Sequence, residues 1–394
     1  MRLHLLVLAT VLAFPACSGS APAEDPATSE ADALKVPTAL TAADFNTPLD
    51  KAQIRSLQTW LSDAAFEQKW AGMLKTPIDF FGSADSAFHA DLAKLPAKRL
   101  PGGEALCHGD PKLDNFGWTV VDGQGVFSNN DFDDGGFCPA AADALRYLVA
   151  TSLWFNDPAL DAAARAAYAD TVAHPSHFVP ADTSTEPVWS DVRAKGLAKS
   201  TNGDTIVLGG EVQPATAAEI AAVRALAASD GRFPRTVLDV TRNVRIDGGS
   251  AGFRRFWLLT QDDAGVRTIL ELKETGFYGT SFGRHTHTLD DAYRFDTLKQ
   301  FWWGTTDDAD HFGVDLLGAR FLLRDRLTRA NPKPDKMTPA QLQAMVETEA
   351  GLLALAHRKA WGHVKSNKLS AWLEASAATV TARWRATYTA AGGK

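Results

Sequence analysis

Two dense polar clusters, joined by a stretch that favours a hairpin, constrain this chain more than any other feature of its sequence. The first is LCHGDPKLDNFGW, at residues 106–118, and the second is NNDFDDGG, at residues 129–136. Between them, FGWTVV and VFSNN read as strands, because the DGQG that separates them is a strong hairpin signal. A strand, a loop and a hairpin can bring Asp110, Asn115 and Asp131 to one rim.

These three side chains would form a ligand set made only of oxygen. Carboxylate and amide oxygens suit a hard cation such as Mg²⁺, which also tolerates substrate phosphates. In phosphoryl transfer, one Asp orients or deprotonates the attacking hydroxyl while an Asn and a second Asp hold the metal. A simpler interpretation is an Asx-rich turn whose side chains cap local backbone groups. That interpretation accounts for one cluster more easily than for two clusters joined by a hairpin.

The motifs also resemble known sequences. His108-Gly109-Asp110 followed by Asn115 resembles the catalytic loop of aminoglycoside phosphotransferases and of the wider protein-kinase-like superfamily, and Asp131-Phe132-Asp133 resembles their metal-binding motif. HGDPKLDNFG together with NDFDD more closely resembles the bacterial domain-of-unknown-function family 2252, whose activity is not established. The resemblance covers most of the mature chain, with its motif core at residues 106–148.

The resemblance implies a role for each residue of the two clusters. Asp110 would be the catalytic Asp, with His108 beside it in the catalytic loop. Asn115 and Asp131 would be ligands of Mg²⁺, and Asp133 could assist them. The implied fold is α+β and two-lobed, with a largely helical large lobe and a small Gly-rich sheet lobe.

The segments around the clusters are predicted to be helical. Residues from about Thr47 to Leu95 carry apolar side chains at helical spacing. After the second cluster, AAADALRYLVATSLWF predicts an Ala-rich helix, whose first turn holds Asp143. By the same resemblance, Asp143 and His108 would support the catalytic loop through hydrogen bonds.

A Gly-rich turn and a Lys follow much later in the chain. VRIDGGSAGFRRFWLL and ILELKE predict strands, and in kinases such a hairpin covers the phosphates while a Lys on the third strand contacts them. Kinases place these parts before the catalytic loop, so the reversed order here implies a circular permutation. The Lys could instead be a solvated strand residue. The implied binding residues for ATP or another phosphorylated nucleotide are Gly248, Gly249, Ser250, Gly252 and Lys273.

The sequence also offers candidates for an acidic partner of Lys273, for a hydrolase nucleophile and for a second metal site. The helix predicted from Asp290 would supply that partner, with Asp296 and Glu274 as candidates. Residues 248–252 also match G-x-S-x-G, which would make Ser250 a hydrolase nucleophile with His311 or His357 as base. That motif needs a helix directly after the Ser, and FRRFWLLTQ predicts a strand. The pair at His285 and His287 has weak spacing for a metal site.

The N-terminus and the cysteines bear on location. MRLHLLVLATVLAFPAC predicts a lipoprotein-type export signal over residues 1–16, with Cys17 as the lipidated residue; an ordinary secretory signal is the alternative. Residues 17–42 are small, acidic and Pro-containing, which predicts a flexible tether. The expected location is the bacterial cell envelope, with a lipid anchor alone at the membrane. In an oxidising compartment, Cys107 and Cys138 either pair or remain separate buried thiols.

The rest of the chain is expected to divide as follows. The large lobe would begin with residues 43–235, with the catalytic loop and the metal-binding hairpin at 106–145. Residues 236–304 would form the β-rich small lobe, and residues 305–394 a C-terminal helical part. With 40 basic against 47 acidic residues and no long basic run, nucleic acid is not an expected partner. A small molecule or nucleotide is, and no oligomeric state follows from the sequence.

Two functional hypotheses remain, because export conflicts with the use of ATP, which is scarce outside the cytoplasmic membrane. The first is a Mg²⁺-dependent phosphotransferase or nucleotidyltransferase that acts on an unknown acceptor. The second is a noncatalytic, pseudokinase-like ligand-binding protein of the envelope that uses the same cleft.

Overall fold

The computed structural model describes residues 36–394 except residue 46, residues 181–185, residue 234 and residues 306–310. The predicted export signal, Cys17 and most of the predicted tether therefore lie outside the described residues. Among the helices within the described ranges, none combines the length and the apolar character that a membrane span requires. The described chain is a mixed α+β structure.

Helices form where the apolar periodicity predicts them, including the segment from Thr47 to Leu95. Their first turns are capped by side chains at several points, as at Ser62, which accepts a hydrogen bond from Ala65. The helices are α1 (Lys51–Ser56), α2 (Asp63–Met73), α3 (Pro77–Ser83), α4 (Asp85–Ala93), α5 (Ala140–Phe155), α6 (Pro158–Ala173), α7 (Trp189–Ser200), α8 (Ala217–Ser229), α9 (Arg294–Trp303), α10 (Pro339–Trp361) and α11 (Ser366–Ala390).

Strands fall into two regions of the chain, one around the polar clusters and one around the Gly-rich turn. The strands are β1 (Glu104–Cys107), β2 (Phe116–Val121), β3 (Gln124–Asn129), β4 (Gly136–Pro139), β5 (Thr201–Asn202), β6 (Thr205–Ile206), β7 (Val212–Pro214), β8 (Thr236–Asn243), β9 (Arg255–Gln261), β10 (Arg267–Glu274), β11 (His311–Leu316), β12 (Ala319–Asp325) and β13 (Arg329–Ala330).

Most of the helices share one apolar core, which is built around α5, and the part of the chain with this core is called the large lobe below. The small Ala side chains of α5 let neighbouring helices approach closely, and most of the helix is buried. Helices α6, α10 and α11 pack against it, and α10 packs along α6. Trp302 and Trp303 at the end of α9 join this core.

The predicted hairpin between the polar clusters is present. Strands β2 and β3 pair antiparallel, with Val121 opposite Gln124. Asp122 and Gly123, which form the two-residue turn, have φ angles of 50° and 76°. Positive φ at both positions matches the twist of the flanking strands, which is why Asp-Gly favours this turn. Strand β13 pairs with the outer edge of β2.

A six-stranded antiparallel sheet in the order β11-β12-β10-β9-β8-β7 has apolar clusters of its own, and this part of the chain is called the small lobe below. Side chains alternate between its two faces, as the two-residue period of a strand requires. On one face, Leu258 and Leu272 pack with Val223 of α8. On the other face, Leu259 and Ile269 pack with Leu197 of α7.

The sheet extends beyond residues 236–304 in both directions. It takes in β7 on one side and the hairpin of β11 and β12 on the other. Residues 305–394, expected to be a C-terminal helical part, contain β11, β12 and β13 before the two long helices α10 and α11. The turn between β11 and β12 is Leu317-Gly318, in which Leu317 has a φ of 50°. A Leu in that conformation is uncommon, so the segment carries little of the Asn-Gly or Asp-Gly signal that marks such turns.

Candidate active site

The pairing of β1 with β4 brings the two polar clusters together. Cys107, the last residue of β1, lies opposite Gly136, the first residue of β4. The loop that leaves β1 and the loop that enters β4 must therefore start side by side. A disulfide between Cys107 and Cys138, which are both fully buried, ties the two strands. Asp110 and Asp133 each lie three residues from this pair of strand ends.

Asp110 is a buried carboxylate held by two cations. The guanidinium of Arg146, from α5, donates to Asp110 Oδ1 at 2.6 Å and 2.9 Å. The Lys112 ammonium lies 3.2 Å from Asp110 Oδ2. Burial raises the pKa of Asp110, but the positive charges of Lys112 and Arg146 lower it by a larger amount. The pKa of Asp110 therefore lies below its ordinary value. Asp110 is thus an ionised group at neutral pH.

Asn115 closes the same loop. Its Nδ2 donates to the Asp110 carbonyl oxygen at 2.7 Å, which leaves the amide oxygen directed toward Lys112. Lys112 Nζ donates to Asn115 Oδ1 at 3.0 Å and lies 3.1 Å from Asp114 Oδ1. Burial lowers the pKa of Lys112, but the carboxylates of Asp110 and Asp114 raise it by more, so the pKa lies above its ordinary value. The ammonium therefore occupies a pocket of oxygens.

Asp143, in the first turn of α5, accepts hydrogen bonds from the backbone of the loop that holds Asp110. Its carboxylate accepts from the amides of His108 at 2.8 Å and Gly109 at 3.0 Å. His357 Nε2, from α10, lies 3.1 Å from the same carboxylate, and Tyr168, from α6, lies 2.8 Å from His357 Nδ1. These contacts fix the loop to the core of the large lobe.

His108 lies beneath the loop, away from the ligand-accessible surface. It is fully buried, and its ring packs against Phe116 and Trp302. Burial lowers its pKa, so the imidazole is neutral, and Nδ1 accepts from the Asp110 amide at 3.3 Å. His108 therefore contacts the backbone of the loop and does not line the cleft.

The second cluster faces cations from the small lobe. Arg324 Nη1 lies 2.7 Å from Asp131 Oδ1. Lys273 forms an ion pair with Asp133 and lies 3.8 Å from Asp131 Oδ1. Burial raises the pKa of Asp131, but Arg324 and Lys273 outweigh that effect and hold it well below its usual range. The two lobes thus neutralise each other's charges across the site.

One face of the small sheet supplies these cations. Lys273 lies opposite Arg255 in the β9–β10 register, and Glu271 lies opposite Arg324 in the β10–β12 register. Glu271 is fully buried and lies 3.0 Å from Arg255 and 2.8 Å from both Arg324 and Arg326. One acid therefore anchors three guanidinium groups next to the site.

The prediction that Glu274 or Asp296 pairs with Lys273 was wrong. Glu274 pairs with Arg254 at 2.9 Å, and Asp296 lies 3.4 Å from Lys299 within α9. Glu274 follows Lys273 directly on a strand, so its side chain projects from the opposite face. The ammonium meets the Asp residues of the second cluster instead.

The Gly-rich turn packs closely against the large lobe. Gly248 and Gly252 have φ angles of 79° and 83°, a conformation that other residues rarely adopt. A Cβ at Gly252 would lie 2.0 Å from a methyl group of Leu61, so Gly252 faces the protein and not the cleft. The buried Lys69 ammonium, from α2, donates to the Gly249 carbonyl oxygen at 2.9 Å. These contacts fix the turn beside the polar clusters.

The geometry at Ser250 does not favour a hydrolase. Its hydroxyl accepts from Arg255, and β9 rather than a helix follows the turn. His311 packs against Phe132 and Trp303, while His357 contacts Asp143. The two proposed bases are therefore engaged elsewhere.

Most of the predicted site residues line one cleft, which has a volume of about 880 Å³. This volume lies in the usual range for small-molecule sites. Arg324, Arg255 and Lys112 line the cleft as well, and sequence reasoning assigned none of them. The predicted residues that line it are Asp110, Asn115, Asp131, Asp133, Gly248, Gly249, Ser250 and Lys273.

A small polar cavity of about 30 Å³ lies behind the Gly-rich turn, lined in part by Asp85, Asp134 and Lys69. Burial, with neighbouring carboxylates, raises the pKa of Asp134 to about 8. Burial lowers the pKa of Lys69 to about 7. Sequence reasoning missed these groups, because only their burial distinguishes them from ordinary surface residues.

Three of the predicted ligands offer the type of donor atom that a hard cation takes. Asn115 Oδ1, Asp131 and Asp133 present amide and carboxylate oxygens to one cleft, with no sulfur or imidazole among them. In the structure, cationic side chains contact these same oxygens. Each of these three residues is therefore already paired with a cation of the protein itself.

Comparison with known proteins finds that part of this chain is similar to a bacterial protein family. The model of a family described as "Uncharacterized protein conserved in bacteria (DUF2252)" matches residues 62–176. That segment includes both polar clusters, Asp143 and Arg146, and it ends before the small sheet with Lys273 and Arg324. No curated protein and no solved structure matches the chain.

Proposed function

We propose that the cleft binds Mg²⁺ together with a phosphorylated nucleotide, and that the protein transfers a phosphoryl or nucleotidyl group to an unknown acceptor. The observation that carries this proposal is the division of charge across the cleft. The large lobe contributes Asp110, Asp131 and Asp133, and the small sheet contributes Lys273 and Arg324.

This arrangement suits an anion that arrives with a metal. In the structure, the acids and the cations pair with each other directly. A metal–polyphosphate could exchange those partners, because the metal would satisfy Asp131 and Asp133 while phosphate oxygens satisfy Arg324 and Lys273. Each buried charge would then keep an opposite charge beside it, which avoids the large cost of an unpaired buried ion.

The residues would divide the chemistry as follows. Asn115, Asp131 and Asp133 would hold Mg²⁺, which neutralises phosphate charge when it is bound. Asp110 would orient the acceptor hydroxyl, since its lowered pKa keeps the carboxylate ionised and able to accept a hydrogen bond. Lys112, Lys273 and Arg324 would contact the oxygens of the transferred group.

A two-lobed, circularly permuted kinase-like fold is part of the proposal. An antiparallel sheet carries the Gly-rich turn and Lys273, and a strand-loop-hairpin unit carries Asp110, Asn115 and Asp131. The two units occur in the chain in the order opposite to that of kinases. Export to the cell envelope and lipidation at Cys17 complete the proposal, and they imply a phosphorylated donor available outside the cytoplasmic membrane.

Calorimetry with Mg²⁺ and a panel of nucleoside mono-, di- and triphosphates tests ligand binding. We expect at least one nucleotide to bind only when Mg²⁺ is present, and Lys273→Met to weaken that binding by 10-fold or more. Lys51→Met is the control, because Lys51 does not line the cleft, and it should bind as the wild type does. Binding by no member of the panel, or equal binding by Lys273→Met, would overturn the proposal.

Release of phosphate or pyrophosphate from the bound nucleotide tests catalysis. Asp110→Ala should retain nucleotide affinity within a few-fold and lose at least 100-fold in turnover. A wild-type protein that binds nucleotide without turnover would instead support the noncatalytic envelope protein.

A further inference from the structure

We propose that Asp170, His174 and His177 form a transition-metal site, with Zn²⁺ as the ion it fits best. The site lies at the C-terminal end of α6 and the turn that follows it. None of its three residues lines the large cleft, so it is separate from the proposed Mg²⁺ site.

The three side chains already converge on one point. His174 Nδ1 lies 3.1 Å from Asp170 Oδ1, and His177 Nδ1 lies 3.2 Å from Asp170 Oδ2. One potential ligand atom from each residue lies within 4.8 Å of the other two. The imidazole rings stack with their centroids 4.7 Å apart and their planes 19° apart.

The backbone sets this convergence. Asp170 and His174 are four residues apart, so they share one face at the end of the helix. Pro175 then begins a short 3-10 turn that carries His177 back over the same face. The His174 amide donates to the Asp170 carbonyl at 2.7 Å, and the His177 amide donates to the His174 carbonyl at 2.9 Å. The ligands therefore need only small side-chain movements to close on an ion.

The chemistry of the three groups selects the metal. Two imidazole nitrogens and one carboxylate oxygen form a set that binds Zn²⁺ at roughly 2.0–2.2 Å, with one position left for water. Mg²⁺ and Ca²⁺ prefer oxygen alone, so they should not compete here. The side chains of Asp170, His174 and His177 are 47%, 52% and 58% exposed, which leaves the ion a direct path from solvent.

The proposed zinc site lies close in sequence to a residue that supports the loop of the first polar cluster. Tyr168, two residues before Asp170, contacts His357, which contacts the Asp143 carboxylate beneath the catalytic loop. A bound ion would hold the end of the helix that carries Tyr168. Since it would bind the folded chain preferentially, Zn²⁺ should raise the melting temperature.

The pair at His285 and His287 gives the matched control. His287 Nδ1 contacts Glu104, but among the described residues His285, His287 and Glu104 do not form a group whose three ligand atoms converge. Replacing this pair removes two imidazoles from the surface without touching the proposed site.

Zinc titration against a chromophoric chelator, with metal-stripped protein that lacks a polyhistidine tag, tests the site. We expect one Zn²⁺ to bind per chain, to be lost in His174→Ala/His177→Ala, and to persist in His285→Ala/His287→Ala. Asp170→Asn should weaken binding by about 10-fold or more. Circular dichroism checks that each variant is folded, and His177→Gln replaces any variant that is not.

Spectra of Co²⁺-loaded protein give a second readout. Wild-type protein should show visible absorption bands that the His174→Ala/His177→Ala variant lacks. No stoichiometric Zn²⁺ binding by the wild type, or unchanged binding and spectra in that variant, would overturn the proposal. A result in which only the His285 and His287 variant loses zinc would move the site to the other pair and also overturn it.

Discussion

Arg146 lies between two buried carboxylates, and it can fully compensate only one of them. Its guanidinium contacts Asp110 Oδ1 at 2.6 Å and Asp85 Oδ1 at 2.8 Å. Lys112 also faces Asp110, which keeps the pKa of Asp110 low. Burial raises the pKa of Asp85 to about 8 despite Arg146, because Asp110 adds a second negative charge nearby. Asp110 therefore carries the charge and Asp85 carries the proton.

This division predicts how stability depends on pH. The unfolded chain releases the Asp85 proton near pH 4, whereas the folded chain keeps it to about pH 8. Stability that comes from this proton is therefore present below about pH 4 and is lost as the pH rises to about 8. Asp85→Asn keeps the acceptor oxygen for Arg146 and cannot ionise. Its free energy of unfolding should fall less between pH 5 and pH 9 than that of the wild type.

Urea unfolding at the two pH values measures the difference. Asp63→Asn is the control, because the Asp63 side chain is 96% exposed and should leave the wild-type pH dependence unchanged. Equal slopes for Asp85→Asn and the wild type would show that Asp85 is ionised throughout this range.

At the scale of the elements, the pair of β1 and β4 builds the site. The two strands are only four residues long, and their disulfide encloses the loop of the first polar cluster, the hairpin and the second polar cluster. The cysteines are 31 residues apart in sequence. A cross-link over a loop of that length should stabilise the fold by about 3–4 kcal/mol in the chain-entropy model.

We therefore predict that reduction, or the double change Cys107→Ala/Cys138→Ala, lowers the free energy of unfolding by about that amount. Urea unfolding with and without a reductant measures it. The double variant serves as its own control, since reductant should not change its stability further. Insensitivity of the wild type to reductant, together with two more titratable thiols in the unfolded wild-type chain than in the double variant, would mean that Cys107 and Cys138 do not pair.

At the scale of the whole molecule, ion pairs across the cleft link the lobes. Arg324, on the small sheet, lies 2.7 Å from Asp131, on the large lobe, and 2.8 Å from Glu271 within its own sheet. Lys69 reaches in the opposite direction, from α2 to the Gly249 carbonyl. The relative position of the two lobes thus depends on a few buried charges.

Arg324→Gln should destabilise the protein by roughly 3–5 kcal/mol, because it leaves the fully buried Glu271 and the partly buried Asp131 each short of a cation. The matched control is Arg326→Gln. Arg326 also contacts Glu271 at 2.8 Å, but its side chain is 36% exposed. Urea unfolding should show a clearly smaller loss for Arg326→Gln, whereas equal losses would show that the contact between the lobes adds nothing.

The sequence by itself determined the parts that depend on neighbours along the chain. The Asp122-Gly123 turn, the helical spacing of α5 and the two polar clusters are local patterns, and each predicts its own structure. Tertiary structure alone decided which charges meet. Asp131 and Arg324 are 193 residues apart, and Asp110 and Arg146 are 36 apart. Pairing at such separations depends on how the sheet and helices pack, and neither residue type nor spacing carries that information.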